Sequence, residues 1–157
     1  MKIRIETPVA SSARATLARF DRELFEALKP GGMRFEVLRF DGSQVGDEVH
    51  LRMGLPGVMM RWVSLITEEI NRPDEIGFVD EGRVLPWFLK TWRHRHILRE
   101  QPYGCDIIDD IEFTCPLPGL AAIVWPGMRL QFAGRAPVYR RIFGTPVILT
   151  GNVTPHA

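Results

Sequence analysis

Cysteine is scarce in this chain: among 157 residues there are two, Cys105 and Cys115, and they stand in no paired spacing. No CxxC and no Cys/His zinc pattern can be formed, so both are expected to be free thiols in a reducing compartment. Lysine is scarcer than size would suggest (Lys2, Lys29 and Lys90), and arginine supplies nearly all the positive charge. Arginine's planar fork favours fixed, bidentate ion pairs. No long run of one sign occurs, and 20 basic against 19 acidic side chains leave a formal charge of +1. That balance favours neither nucleic acid nor a membrane surface as partner. Aromatic residues are spread along the chain rather than interleaved with a basic patch, which argues against single-stranded nucleic-acid binding.

Other absences narrow the chemistry. No apolar run approaches the roughly 20 residues of a membrane span, and the start MKIRIETPVASS lacks the apolar segment of a signal peptide. No membrane insertion and a cytoplasmic location are expected. There is no phosphate-binding Walker loop, no GxGxxG, no GxSxG and no HExxH. Serines are few (Ser11, Ser12, Ser43 and Ser64), and Ser64 has no evident triad context. A cysteine nucleophile has no support either, because Cys105 falls in apolar surroundings that would raise its pKa.

What is present is a change of period. Lys2 to Glu6 alternates as a short strand, and Thr7-Pro8 is expected to end its pairing. Ser11 and Ser12 offer N-caps to SARATLARFDRELFEALK, where Leu17, Phe20, Leu24 and Leu28 recur at helical spacing and Phe25 widens the stripe. Pro30-Gly31-Gly32 stops that helix. From there the period is two: Met33, Phe35 and Val37, then a turn at Asp41-Gly42, then Val49, Leu51 and Met53. Leu55-Pro56-Gly57 turns into a run from Met59 to Thr67 containing Trp62. Ile76 and Phe78 read as a short strand, and Trp92–Leu98 and Cys105–Phe113 complete about seven. The last quarter differs. Pro126-Gly127 is a candidate helix start running through Met128, Leu130, Phe132 and Arg135, and Pro137 kinks or restarts it over Val138–Phe143. The layout is α+β: one domain over residues 1–145, a mainly antiparallel sheet covered by a C-terminal helix, and a tail from 146 to 157.

The stretch TWRHRHILREQPYGCDIIDDIEF carries the functional question. Folding it into a hairpin sets Trp92 opposite Ile111, His94 opposite Asp109, His96 opposite Ile107, Leu98 opposite Cys105, and Arg93 opposite Asp110 on the other face. The charged pair marks the solvent side. His94, His96 and Asp109 therefore point inwards among Trp92, Ile111 and Phe113. Three readings stand for these polar groups. They can be a satisfied internal hydrogen bond, the polar end of a ligand cavity, or a set of two His and one carboxylate for non-haem iron.

WxHxH at Trp92, His94 and His96, followed by D-x-I-x-F-x-x-P at Asp109, Ile111, Phe113 and Pro116, with Phe132 and Arg135 beyond, resembles the ligand-binding branch of the SRPBCC, or START-like, superfamily. The Trp62–Ile66 strand and Gly46 also fit. Two departures stand against the pattern: Trp87-Phe88-Leu89 replaces the branch's usual Gly-Pro-Phe, and Pro137 interrupts the final helix. The resemblance implies a helix-grip fold, with a curled sheet around the C-terminal helix. It also implies an internal cavity for a lipid-like, aromatic or polyketide-like small molecule. The inward member of each alternating run gives the expected walls: Phe35, Val37, Leu51, Met53, Trp62, Ile76, Phe78, Trp92, His94, His96, Asp109, Ile111 and Phe113. No cofactor and no metal are expected to be needed. A rival reading is a cyclase or dehydratase in which His94 acts as base and Asp109 orients it. A third is an interaction protein with a filled core, using Arg140-Arg141 or the Met59-Met60 edge. Oligomeric state is left open by the sequence.

Overall fold

The computed structural model describes residues 1–55 and 57–147. Seven strands, β1 (Lys2–Val9), β2 (Arg34–Phe40), β3 (Glu48–Leu55), β4 (Val58–Asn71), β5 (Glu75–Val84), β6 (Thr91–Gln101) and β7 (Gly104–Thr114), form one sheet in the order β1-β7-β6-β5-β4-β3-β2. Every pairing is antiparallel. Helices α1 (Ala13–Leu17) and α2 (Arg22–Ala27) link β1 to β2 across the whole sheet, and α3 (Leu120–Ala133) and α4 (Ala136–Phe143) follow β7. The curled α+β architecture with C-terminal helices is the expected helix-grip layout. The expected tail from Pro146 falls almost entirely outside the described residues.

Several boundaries differ from the sequence reading, each for a local reason. Pairing of β1 does not stop at Thr7-Pro8 but continues to Val9, opposite Cys105. This strand is the sheet edge, where a residue without an N–H is tolerated. The expected first helix is two short ones. Ser12 Oγ accepts from the Ala15 N–H at 3.3 Å and Asp21 Oδ1 accepts from the Leu24 N–H at 2.9 Å, so each piece has its own cap. The break lets Phe20 turn inwards, edge-on to Phe78 and His96. Helix α3 begins at Leu120, ahead of Pro126, which lies inside it. Its missing N–H leaves the carbonyl of Ala122 unpaired in the helix, and Ala122 is exposed. Pro137 does restart the chain as α4, at the first turn where its fixed φ suits a helix.

The β6–β7 hairpin closes with a two-residue turn, Pro102-Tyr103, between the paired Gln101 and Gly104. Opposed residues are therefore Trp92 with Phe113, His94 with Ile111, His96 with Asp109, and Arg93 with Glu112. The expected register is corrected by two positions along β7. A shift of two keeps every side chain on its face, so the inward and outward assignments stand while the partners change. Outside, Arg93 reaches Glu81 and Glu68, and Arg95 reaches Asp110 and Glu112. Inside, a core of Leu51, Met53, Trp62, Trp92, Ile111 and Phe113 packs under Met128 and Phe132 of α3. A second cluster sets Val9, Leu98, Cys105 and Ile107 against Leu24, Tyr139 and Phe143. Fully burying each such aliphatic or aromatic side chain contributes about 1.5–3 kcal/mol.

Candidate functional site: a cavity with one polar wall

Between the concave face of the sheet and α2, α3 and α4 lies a cavity of about 640 Å³. Such a volume is in the range of sites that enclose small organic ligands. Phe25, Phe35, Leu51, Met53, Trp62 and Met128 contribute apolar walls. The lining residues that are also exposed (Asp21, Lys29, Gly31, Ile123, Gly127, Leu130 and Gly134) place the mouth between α3 and the region of α2 and the segment after it. Trp62 and Trp92 meet edge to face at 4.8 Å, and Trp92 lies 5.9 Å from the Phe132 ring.

The polar wall is a network of four side chains with supports at each end. Asp109, 1% exposed, accepts from His94 Nε2 at 2.9 Å and has Arg135 Nη1 at 3.5 Å. The Arg135 guanidinium lies 3.9 Å over the Phe132 ring. Asp80 on β5 is 2.9 Å from His96 Nε2 and 3.5 Å from His94 Nδ1, and it accepts from Trp92 Nε1 at 3.2 Å. The two imidazoles lie with centroids 3.7 Å apart, and Phe78 stacks on His96 at 4.4 Å. Both histidines bond diagonally across the sheet: the residues directly opposite His94 are Ile111 and Asp80, and those directly opposite His96 are Asp109 and Phe78.

Electrostatics follow from that geometry. Burial, with the neighbouring His94, holds the His96 ring down to about 4 against the opposing pull of Asp80, so it is neutral at pH 7. Burial alone would raise the Asp80 carboxyl, but the hydrogen bond from His96, with His94 and Ser64 beside it, holds it below the usual carboxylate range. Asp109 is likewise opposed by burial and held low by the His94 hydrogen bond and Arg135. Burial, with Asp109 nearby, pushes the Tyr139 hydroxyl up, and that hydroxyl and Arg135 Nε have no hydrogen-bond partner among the described residues. The Cys105 thiol is also pushed up by burial, against a hydrogen bond to Thr16.

Of the residues expected to wall the cavity, Phe35, Leu51, Met53, Trp62, Phe78, Trp92, His94 and His96 do line it. Five do not. Ile111 and Phe113 are closed off in the solid core beneath α3. Ile76 packs against the second cluster. Val37 packs against the first cluster, at the register shift between Val37 and Arg39. Asp109 is sealed behind His94, so it supports the wall without facing the cavity. Asp80, Ser64, Phe20, Phe132, Arg135 and Tyr139 are lining residues beyond that expected set. A signal for Asp80 was present: stepping by two from Ile76 and Phe78 reaches it, once β5 is allowed its full length.

Comparison with solved structures gives the same fold at low identity. A Chromobacterium violaceum protein, CV1439, superposes with a TM-score of 0.65 at 17% identity, covering 92% of this chain and 97% of that one. Norcoclaurine synthase from Thalictrum flavum, in complex with dopamine and hydroxybenzaldehyde, gives 0.61 at 15% identity, with coverage of 92% and 88%. The Zhui aromatase/cyclase from Streptomyces gives 0.57 at 12%, with coverage of 90% and 95%. No protein-family model matches the sequence, and no curated protein matches it either. The curled seven-stranded sheet, the helices that close it and these superpositions together give this chain a helix-grip fold.

Proposed function

We propose that this protein binds a small apolar molecule, lipid-like or aromatic, in the cavity beneath α3. The observation that carries the reading is the cavity itself: about 640 Å³ with mainly apolar walls and polar groups gathered on one side. A buried apolar surface supplies affinity and a few placed polar groups supply orientation. Solved structures of the same fold include an enzyme complexed with aromatic compounds and an aromatase/cyclase, so the scaffold accommodates such molecules elsewhere. Trp62 and Trp92 both line the space and report on it. Titration with a long-chain fatty acid and with 1-anilinonaphthalene-8-sulfonate should change tryptophan fluorescence saturably, and native mass spectrometry should retain a co-purified apolar molecule. A chain that is silent to a varied apolar panel and carries nothing would instead have a collapsed interior.

One observation favours a second reading, a cyclase- or dehydratase-type enzyme. A neutral imidazole backed by a carboxylate lies at the cavity wall, the arrangement of a general base. The cavity-side pair is His96 with Asp80, whereas His94 is engaged with Asp109 behind it. Turnover of a poly-β-ketone or aromatic aldehyde substrate that disappears in His96→Gln, with ligand binding retained, would establish it over simple binding.

A further inference from the structure

We infer that Asp80, His94 and His96 form a binding site for a divalent first-row transition metal ion. Their nearest donor atoms all lie within 4.8 Å of one another. Asp80 Oδ2 is 3.5 Å from His94 Nδ1 and 2.9 Å from His96 Nε2. Ligands about 2.1 Å from a zinc-like ion are roughly 3.4 Å apart at a tetrahedral angle, so the Asp80–His94 spacing already fits and the Asp80–His96 spacing needs to open by about half an ångström. The two imidazole nitrogens, within 4.8 Å of each other, need to end no farther apart than that tetrahedral spacing. Two imidazoles and one carboxylate suit Fe²⁺, Co²⁺ or Zn²⁺ rather than Mg²⁺ or Ca²⁺. The carboxylate differs from the one the sequence offered: Asp109 stands behind His94, not beside the donors.

Three further features fit a metal and are not needed for a ligand cavity alone. His94 has a carboxylate at each ring nitrogen, Asp109 at Nε2 and Asp80 at Nδ1. A cation held between Nδ1 and the Asp80 oxygen would keep Nε2–H donating to Asp109. The Asp109–His94 pair is then the support that fixes tautomer and ring orientation in metal sites, with Arg135 holding Asp109 in turn. Trp92 Nε1 restrains the other Asp80 oxygen, Oδ1. Lastly, all three donor residues line the cavity, so the unfilled coordination positions face it and would take an oxygen donor of a bound molecule. The inference uses the cavity geometry and stands whether or not the occupant is apolar.

The test uses the full chain, stripped with a chelator and titrated with CoCl₂ and, separately, ZnCl₂. One equivalent of Co²⁺ should bind, with visible d–d absorption and quenching of Trp92. His96→Ala and Asp80→Asn should abolish uptake, and Asp109→Asn should weaken it about 10–100-fold. His50→Ala, which alters the separate His50–Glu48 pair, should leave uptake unchanged. Circular dichroism of each variant checks folding. If Asp80→Asn does not fold, competition of Zn²⁺ against Co²⁺ in the parent and the Trp92 quench still report on the site. No stoichiometric uptake by the parent overturns the inference. Uptake unaffected by His96→Ala and Asp80→Asn overturns it as well. Apolar-ligand binding, measured without metal, fails or succeeds independently.

Discussion

His94 and Asp109 hold each other in a place where neither can reach water, so truncating one strands the other. His94→Ala leaves a buried carboxylate with only the more distant Arg135, at a cost on the order of 1–3 kcal/mol. The double variant His94→Ala/Asp109→Ala should cost less than the sum of the single losses, because the stranded group is gone. Chemical denaturation of the four proteins in chelator measures this coupling; strict additivity would mean that the pair contributes nothing to stability. His96 makes a separate prediction. Its folded pKa, about 4, lies below the ordinary 6.5, so as pH falls the unfolded chain takes up the proton first. Stability should decline from about pH 6.5 down to about pH 4, and the low Asp80 and Asp109 carboxyls then extend the loss under more acid conditions. Denaturation midpoints at pH 7, 5.5 and 4.5 test the slope, which His96→Phe should flatten over the upper part of that window.

At the scale of elements, the β6–β7 hairpin depends on one glycine. Gly104 has φ +137°, and a Cβ there would come within 2.3 Å of the Val9 carbonyl oxygen of β1. Gly104→Ala should lose about 1–3 kcal/mol, from backbone strain and displaced β1; a melting temperature equal to the parent's would remove this glycine's role. Alternation alone made the faces of this hairpin legible, since Trp92, His94 and His96 step by two and Arg93 and Arg95 fall opposite. The partners were not legible, because register depends on whether the turn holds two residues or more, and apolar positions at Ile107, Ile111 and Phe113 satisfy either choice. The break between α1 and α2 was hidden for a similar reason. Leu17, Phe20, Leu24 and Leu28 suit one continuous helix, and only the tertiary demand for Phe20 beside His96 selects two. Asp80 was missed because a carboxylate after Gly77-Phe78-Val79 looks like the end of a strand, not its buried middle.

For the whole molecule, a ligand that occupies the cavity should stabilise the fold by mass action, raising the melting temperature with concentration. A fatty acid that shifts tryptophan fluorescence without moving the melting temperature would be touching the surface only. The sheet order carries one more consequence. Strands β1 and β2 follow one another in the chain yet occupy opposite edges of the sheet, and β1 lies against β7, the last strand made. During synthesis β1 emerges ahead of the other six strands and has no strand partner until they exist, so this closure is the longest-range strand pairing in the sheet. Until it occurs, β7 presents a bare row of amides and carbonyls to any other chain. Shortened chains lacking residues 1–9 should therefore be recovered as aggregates or as strand-exchanged dimers, whereas supplying the peptide KIRIETPV in trans should restore a monomer.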